Sequence, residues 1–262
     1  MEFLPSSISI GGATFLALIG TMVAGHRFGR ARLRRQPGES ESVGHGTIEG
    51  AVFALLGLML AFSFSGAASR FADRRELITT EANAIGTAWL RIDLLPAASQ
   101  PAIRNAFRQY VDARLSVYQQ PADSVAVARG AQASNTAQAT LWRLVVDAVS
   151  TPDGQRAITT VIPAMNDMFD MATTRMMAME VHQPVLLYAI MLVLMLIASF
   201  ISGIAMAPNP RVSAVHAVVF ALTLALTTWL TLDLEFPRRG VLRIDKYDHV
   251  LTDLRADMNR VP

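Results

Sequence analysis

Residues 50–69 (GAVFALLGLMLAFSFSGAAS) carry no charged side chain, and the chain runs from Arg70 to Ile85 without a Gly or Pro. Twenty helical residues rise roughly 30 Å, the thickness of a bilayer hydrocarbon core, so residues 50–69 read as a transmembrane helix. The Ala, Leu, Arg and Glu of RFADRRELITTEANAIGTAWLRIDLLP favour continuing that helix beyond the membrane. The pattern changes at Arg70. Before it every side is apolar; after it Phe71, Ile78, Ile85 and Ile92 recur every seven residues with Ala82 and Trp89 beside them, which is a stripe for packing on other helices rather than on lipid.

Three further apolar runs follow the same rule. Residues 3–25 form a first span, because Glu2 stands where a signal peptide has a positive n-region and the cluster HRFGRARLRR lies behind the apolar run. Residues 184–207 and 212–234 form spans three and four, a helical hairpin closed by PNPR. Thr47 is expected to cap span two after the polar linker RQPGESESVGHG. Hydrophobic residues make up 52% of the 262-residue chain against 17% charged, the balance of an integral membrane protein. With no Cys there is no disulfide, thiolate metal site or Cys nucleophile. The basic excess is only +2 and its largest run abuts a span, which suits lipid headgroups and not nucleic acid. Positive charge behind span one places Arg27 to Arg35 in the cytoplasm and residues 70–183 outside.

Between the second and third spans, Ile103, Phe107, Val111, Leu115 and Tyr118 form one helical stripe and Leu141, Leu144, Val145 and Val149 another. Breaks at Pro96, Pro121 and Thr151-Pro152 divide the region into four helices, the last kinked at Pro163. In the tail, Ile244, Tyr247, Leu251, Leu254 and Met258 predict one amphipathic helix on the membrane surface or on the outer domain. The expected fold is all-α: transmembrane helices one and two in 1–69, an extramembrane helical domain in 70–183, transmembrane helices three and four in 184–236, and an amphipathic tail in 237–262.

The segment FSFSGAASRFADRRELITTEANAIGTAWLRIDLLP, with its Glu81-Ala82-Asn83 step, and the series Asp233, Glu235, Pro237, Gly240 and Arg243 in DLEFPRRGVLRID resemble the bacterial membrane proteins called bestrophin-like domain proteins, over nearly the whole chain. The resemblance implies likeness to the bestrophin anion channels: four spans per subunit, a helical domain between spans two and three, and oligomers around a central pore. Bestrophins keep that domain and both termini in the cytosol, whereas the Arg run here argues for the opposite orientation.

Each candidate site has two readings. Gly57, Ala61, Ser65 and Ser69 recur every four residues, a spacing that lets helix backbones approach closely in lipid; the alternative is a pore wall, with Leu60 or Phe64 as an apolar constriction that gates by dewetting. His216, Thr223, Thr227 and Thr231 share one face of span four, where His216 is expected to face the interior and the Thr hydroxyls to bond one turn back. Glu81 has only Leu77, Ile78, Ala84 and Ile85 around it on its own helix, so its partner is an Arg or a helix N-terminus elsewhere, or it is an ion-coordinating acid near a pore mouth. Asp233 and Glu235 are candidates for the same two roles. Six of the 13 Met lie between Met165 and Met179; without Cys they read as flexible core packing rather than a copper site. Asp245, His249, Asp253 and Asp257 read as the solvated face of the tail helix rather than a cation site.

No HExxH, GxSxG or GxxxxGK[ST] motif is present and the five His are scattered, so the chain does not read as an enzyme and no cofactor is expected. The expectation is a multi-pass protein of the bacterial inner membrane, a homo-oligomer in the lipid bilayer that conducts inorganic ions. The rival is a non-conducting sensor or scaffold whose helical domain binds a partner.

Overall fold

The computed structural model describes residues 7–35, 44–119, 124–209, 212–238 and 240–260. Eight α-helices are found among them: α1 (Ser7–Arg35), α2 (Gly44–Arg91), α3 (Gln100–Gln119), α4 (Ser124–Val149), α5 (Ile158–Glu180), α6 (Val185–Ala205), α7 (Ala214–Glu235) and α8 (His249–Asp257). Short 3₁₀ turns complete the regular structure, and the described residues contain no strand. The sequence breaks at Pro96 and Thr151-Pro152 coincide with the turns before α3 and α5; the break at Pro121 and the Pro210-Arg211 end of PNPR lie outside the described residues. Pro163 sits inside α5, in its second turn.

Two helix boundaries differ from expectation. The helix α2 starts at Gly44, so Thr47 lies inside its first turn instead of capping it. The tail is not one helix: Asp245–Tyr247 is a 3₁₀ turn and only His249–Asp257 is α-helical. Its apolar positions serve as anchors nonetheless, since Ile244, Leu251 and Met258 are all buried.

Four stretches, within Ser7–Arg35, Gly46–Leu94, Gln155–Ala205 and Ala214–Glu235, are long and apolar enough to cross a membrane. The chain divides into two compact units. The first, Met1–Phe71 with His182–Leu242, holds α1, the first half of α2, α6 and α7. Its core is Leu18, Leu56, Leu60, Met191, Met195, Ala198, Ala221 and Leu224. Here α1 and α6 come into backbone contact: a Cβ on Gly25 would lie 2.1 Å from the Phe200 carbonyl oxygen, and one on Gly203 2.1 Å from that of Met22. Ser199 donates to the Leu18 carbonyl at 2.6 Å across the same seam. Small residues thus do bring two apolar helices together, as lipid-phase packing requires. They do so on α1 and α6, not at Gly57 of α2, where an added Cβ meets nothing within 4 Å.

The second unit, Ala72–Val181 with Arg243–Pro262, is built from the rest of α2 with α3, α4, α5 and α8. Ile78, Ile85, Ile92, Ala82 and Trp89 are buried, as are Ile103, Phe107, Val111 and Tyr118 of α3 and Leu141, Val145 and Val149 of α4. Met165 and Met168 are fully buried and Met176 and Met179 pack against the same core, the role that flexible thioethers suit. Phe107, Tyr110 and Phe169 form an edge-to-face series, with ring centroids 6.4 and 5.5 Å apart.

Candidate functional site

In the first unit the acidic pair at the end of α7 is completely buried, and each carboxylate is held by several donors. Asp233 accepts from Ser7 Oγ at 2.6 Å and from the backbone N–H groups of Val241 at 3.0 Å and Leu242 at 2.7 Å. A Cβ at Gly240 would lie 2.1 Å from Asp233 Oδ1, so only glycine lets the loop close over the carboxylate. Two residues on, Glu235 accepts from Arg70 Nη2 at 2.6 Å and Nε at 3.1 Å, from the Gln183 N–H at 3.0 Å, and lies 3.2 Å from His182 Nδ1. The His182 ring stacks on Phe236 with centroids 4.7 Å apart. The acid, Pro, Gly series therefore has a physical account: Asp233 fixes the loop after α7, and Glu235 ties α2 and the lead-in to α6 to the end of α7.

The second unit contains a buried charge network around Glu81, which has no solvent exposure. Its Oε1 accepts from Arg114 Nε at 2.8 Å and Nη2 at 2.7 Å; its Oε2 accepts from Arg175 Nη1 at 2.6 Å and from the Tyr118 hydroxyl at 3.3 Å. The other side of Arg175 donates to Asp248 at 2.5 Å, and its guanidinium lies 3.7 Å from the centre of the Tyr118 ring. Arg114 also donates to the Tyr118 hydroxyl and to the Ala172 carbonyl at 3.3 Å. Two cations and two anions balance. Burial works against the Arg114 charge, yet Glu81 and the two neighbouring tyrosines hold its pKa above the ordinary arginine value. Tyr110 lies at the edge of this network; burial pushes its phenol well above the usual range, and its hydroxyl has no partner among the described residues. With both oxygens engaged, Glu81 has the geometry of a structural tie.

The partners of Glu81 escaped the sequence reading, although a signal for them was present. On α3, Arg114 falls three residues after Val111 and four before Tyr118, and on α5, Arg175 continues the 165, 168, 172 spacing. Both are cations at core positions of an apolar stripe, where a counter-charge must exist. Arg74 is a third case, at the step between Phe71 and Ile78. It is buried, and its guanidinium donates to the Ala178 and Val181 carbonyls at 3.0 and 2.6 Å, satisfying the free end of α5.

The remaining candidates lie on α2 and α7. Leu60 packs in the core of the first unit, whereas Phe64, Ser65 and Ser69 are exposed, as are Gly57 and Ala61. His216 is exposed rather than interior, 2.7 Å from Ser213 at the start of α7, because at that position the helix has just begun and Ala217 takes the inward face. Thr223, Thr227 and Thr231 donate to the carbonyls of Val219, Thr223 and Thr227 at 2.8 to 2.9 Å, the one-turn-back bonds their spacing allows. Asp245 pairs with Arg243, Asp257 with Arg260, and His249 Nδ1 with the Lys246 carbonyl.

The family profile described as Bestrophin-like domain matches residues 12–247. Among solved structures, the chain is similar to the crystal structure of a mutant of a bacterial bestrophin homologue from Klebsiella pneumoniae, with a TM-score of 0.67 and 14% identity over 98% of this chain and 100% of that one. At that identity the likeness is one of fold. A comparison with curated protein sequences gives no match.

Proposed function

Because the chain belongs to the bestrophin-like domain family, we propose that it is one subunit of a homo-oligomeric ion channel of the bacterial inner membrane, with α2 lining the ion path. The observation that carries this reading is the outer face of α2. From Gly50 to Ser69 the helix is uncharged and apolar, yet Gly57, Ala61, Ser65 and Ser69 on one stripe are left uncovered by the subunit's own helices. At the α1–α6 seam Gly25 and Gly203 turn inward onto the facing backbone, whereas Gly57 on this stripe meets nothing within the subunit. Small residues left on the outside instead suit close approach of a second copy, and a hydroxyl such as that of Ser65 suits contact with water. Phe64 borders this stripe and is 37% exposed, so it takes the role of the apolar constriction; Leu60 supports it from the core. The division of the chain follows: residues 1–69 and 184–236 carry the spans, 70–183 the extramembrane helices, and the tail closes on those helices.

The test is ion flux into liposomes containing the purified, assembled protein. Wild type is expected to conduct, Phe64→Ser to conduct more because a polar side chain wets a dry constriction, and Ala61→Leu to fail to assemble on size-exclusion chromatography. Absence of flux from assembled wild type and from assembled Phe64→Ser would instead make the chain a non-conducting sensor or scaffold.

A further inference from the structure

On the outer side of the seam between α4 and α5 the second unit has an open cleft of about 390 Å³. It lies where the helices present Asn135, Gln138 and Trp142 on one wall and Asn166, Phe169 and Asp170 on the other. Those residues follow i, i+3, i+7 and i, i+3, i+4 spacing, so each set occupies a single helix face. Ala139 of α4 also lines the space, and its methyl group is too small to fill it. Trp142 and Phe169 meet edge to face at 6.3 Å, and Phe169 is 7% exposed, so the aromatic base is held rigidly by the core beneath. The polar side chains are not. The side chains of Asn135, Gln138, Asn166 and Asp170 make no hydrogen bond or ion pair with other described residues. This contrasts with the rest of the unit, where Glu81, Arg74, Arg114 and Arg175 are all engaged.

We propose that this cleft is a binding site for a small organic cation bearing N–H donors, a guanidinium or primary ammonium compound. The chemistry of the lining selects the class. Asp170 is its one charged group, so the site is net negative and repels anions. Carboxylate and aromatic faces together are the usual partners of an organic cation, through a charge-assisted hydrogen bond and the ring quadrupole. The three amides offer carbonyl acceptors to further N–H groups and remain free to rotate onto them. The volume falls in the range of small-molecule sites and is too small for a folded partner. Ligand bound here would bridge α4 to α5.

The experiment is calorimetric titration of the full-length protein in lipid nanodiscs with agmatine, using N-butylurea as the uncharged counterpart. Agmatine is expected to bind saturably and N-butylurea to bind at least tenfold more weakly. Asp170→Asn should weaken agmatine at least tenfold, and Ala139→Leu, which adds bulk to the lining, should abolish binding. The Asp170 side chain is exposed and has no partner among the described residues, so Asp170→Asn should keep the wild-type melting temperature and elution volume; Gln138→Ala provides a second variant with an expected severalfold loss. Absence of agmatine binding to wild type, equal affinity for N-butylurea, or unchanged affinity in Asp170→Asn would each overturn the assignment. So would loss of the oligomer in Ala139→Leu with agmatine binding retained, which would make the cleft a contact between copies of the chain.

Discussion

Glu81→Gln is nearly isosteric and removes one negative charge from the centre of the second unit. The carboxylate receives four donors: two from Arg114, one from Arg175 and the Tyr118 hydroxyl. A glutamine carbonyl can serve one side only; its NH₂ then points donors at the donors of the other side, whichever way the amide turns. Charge balance fails too, because Asp248 alone faces the Arg114 and Arg175 cations. Removing one member of a buried ion pair costs roughly 3–5 kcal/mol, and the full coordination of Glu81 puts it in that range rather than at the 0–1 kcal/mol of surface pairs. For a unit of this size that corresponds to a fall in melting temperature of roughly 10 °C or more.

Differential scanning fluorimetry of the detergent-solubilised protein is the assay, with size-exclusion chromatography to confirm assembly. A companion variant tests the reasoning itself. Replacing Glu81, Arg114 and Arg175 together by Met removes the buried charges of this network and leaves Asp248, which is 15% exposed at its side chain, free to turn to water. Apolar substitution of a whole buried network is commonly neutral or stabilising, so the triple variant should melt well above Glu81→Gln. A Glu81→Gln protein that melts within about 2 °C of wild type would show that water already screens the network, and the argument from desolvation would fall.

Gly203→Val should prevent close contact between α1 and α6, because its Cβ would start 2.1 Å from the Met22 carbonyl oxygen; loss of the monodisperse peak after extraction is the readout. Gly240→Ala places a methyl group 2.1 Å from Asp233 Oδ1, opens the loop after α7, and should lower the melting temperature by an amount similar to Asp233→Asn. Tyr110→Phe deletes a buried hydroxyl without a partner among the described residues and should leave stability at pH 7 unchanged or raise it by about 1 kcal/mol. Because burial raises the Tyr110 phenol in the folded state, stability is fully present below the ordinary phenol pKa of about 10 and is lost as pH rises above it. That alkaline loss should be smaller in Tyr110→Phe, as measured by melting curves between pH 8 and 11.

What could be read from the sequence, and what could not, divides along one physical line. Periodicity reports which side of a helix is buried, and so Ile78, Ile85, Phe107, Val111, Leu141 and Val145 are legible in the sequence as core. It cannot report what lies opposite. Glu81 was legible as an acid without a cation on its own helix, but Arg114 and Arg175 are 33 and 94 residues away, and only the fold brings them together. The same limit explains the small residues. Gly25 and Gly203 are 178 positions apart and each is ordinary in its own helix, whereas Gly57, Ala61 and Ser65 form an obvious repeat within one.

The obvious repeat is the one the subunit leaves uncovered, and the scattered glycines are the ones it uses internally. A stripe of small residues along a single helix face lets another helix approach closely in lipid. The spacing of Gly57, Ala61 and Ser65 and their exposure are what the proposed contact of α2 with a second copy would use.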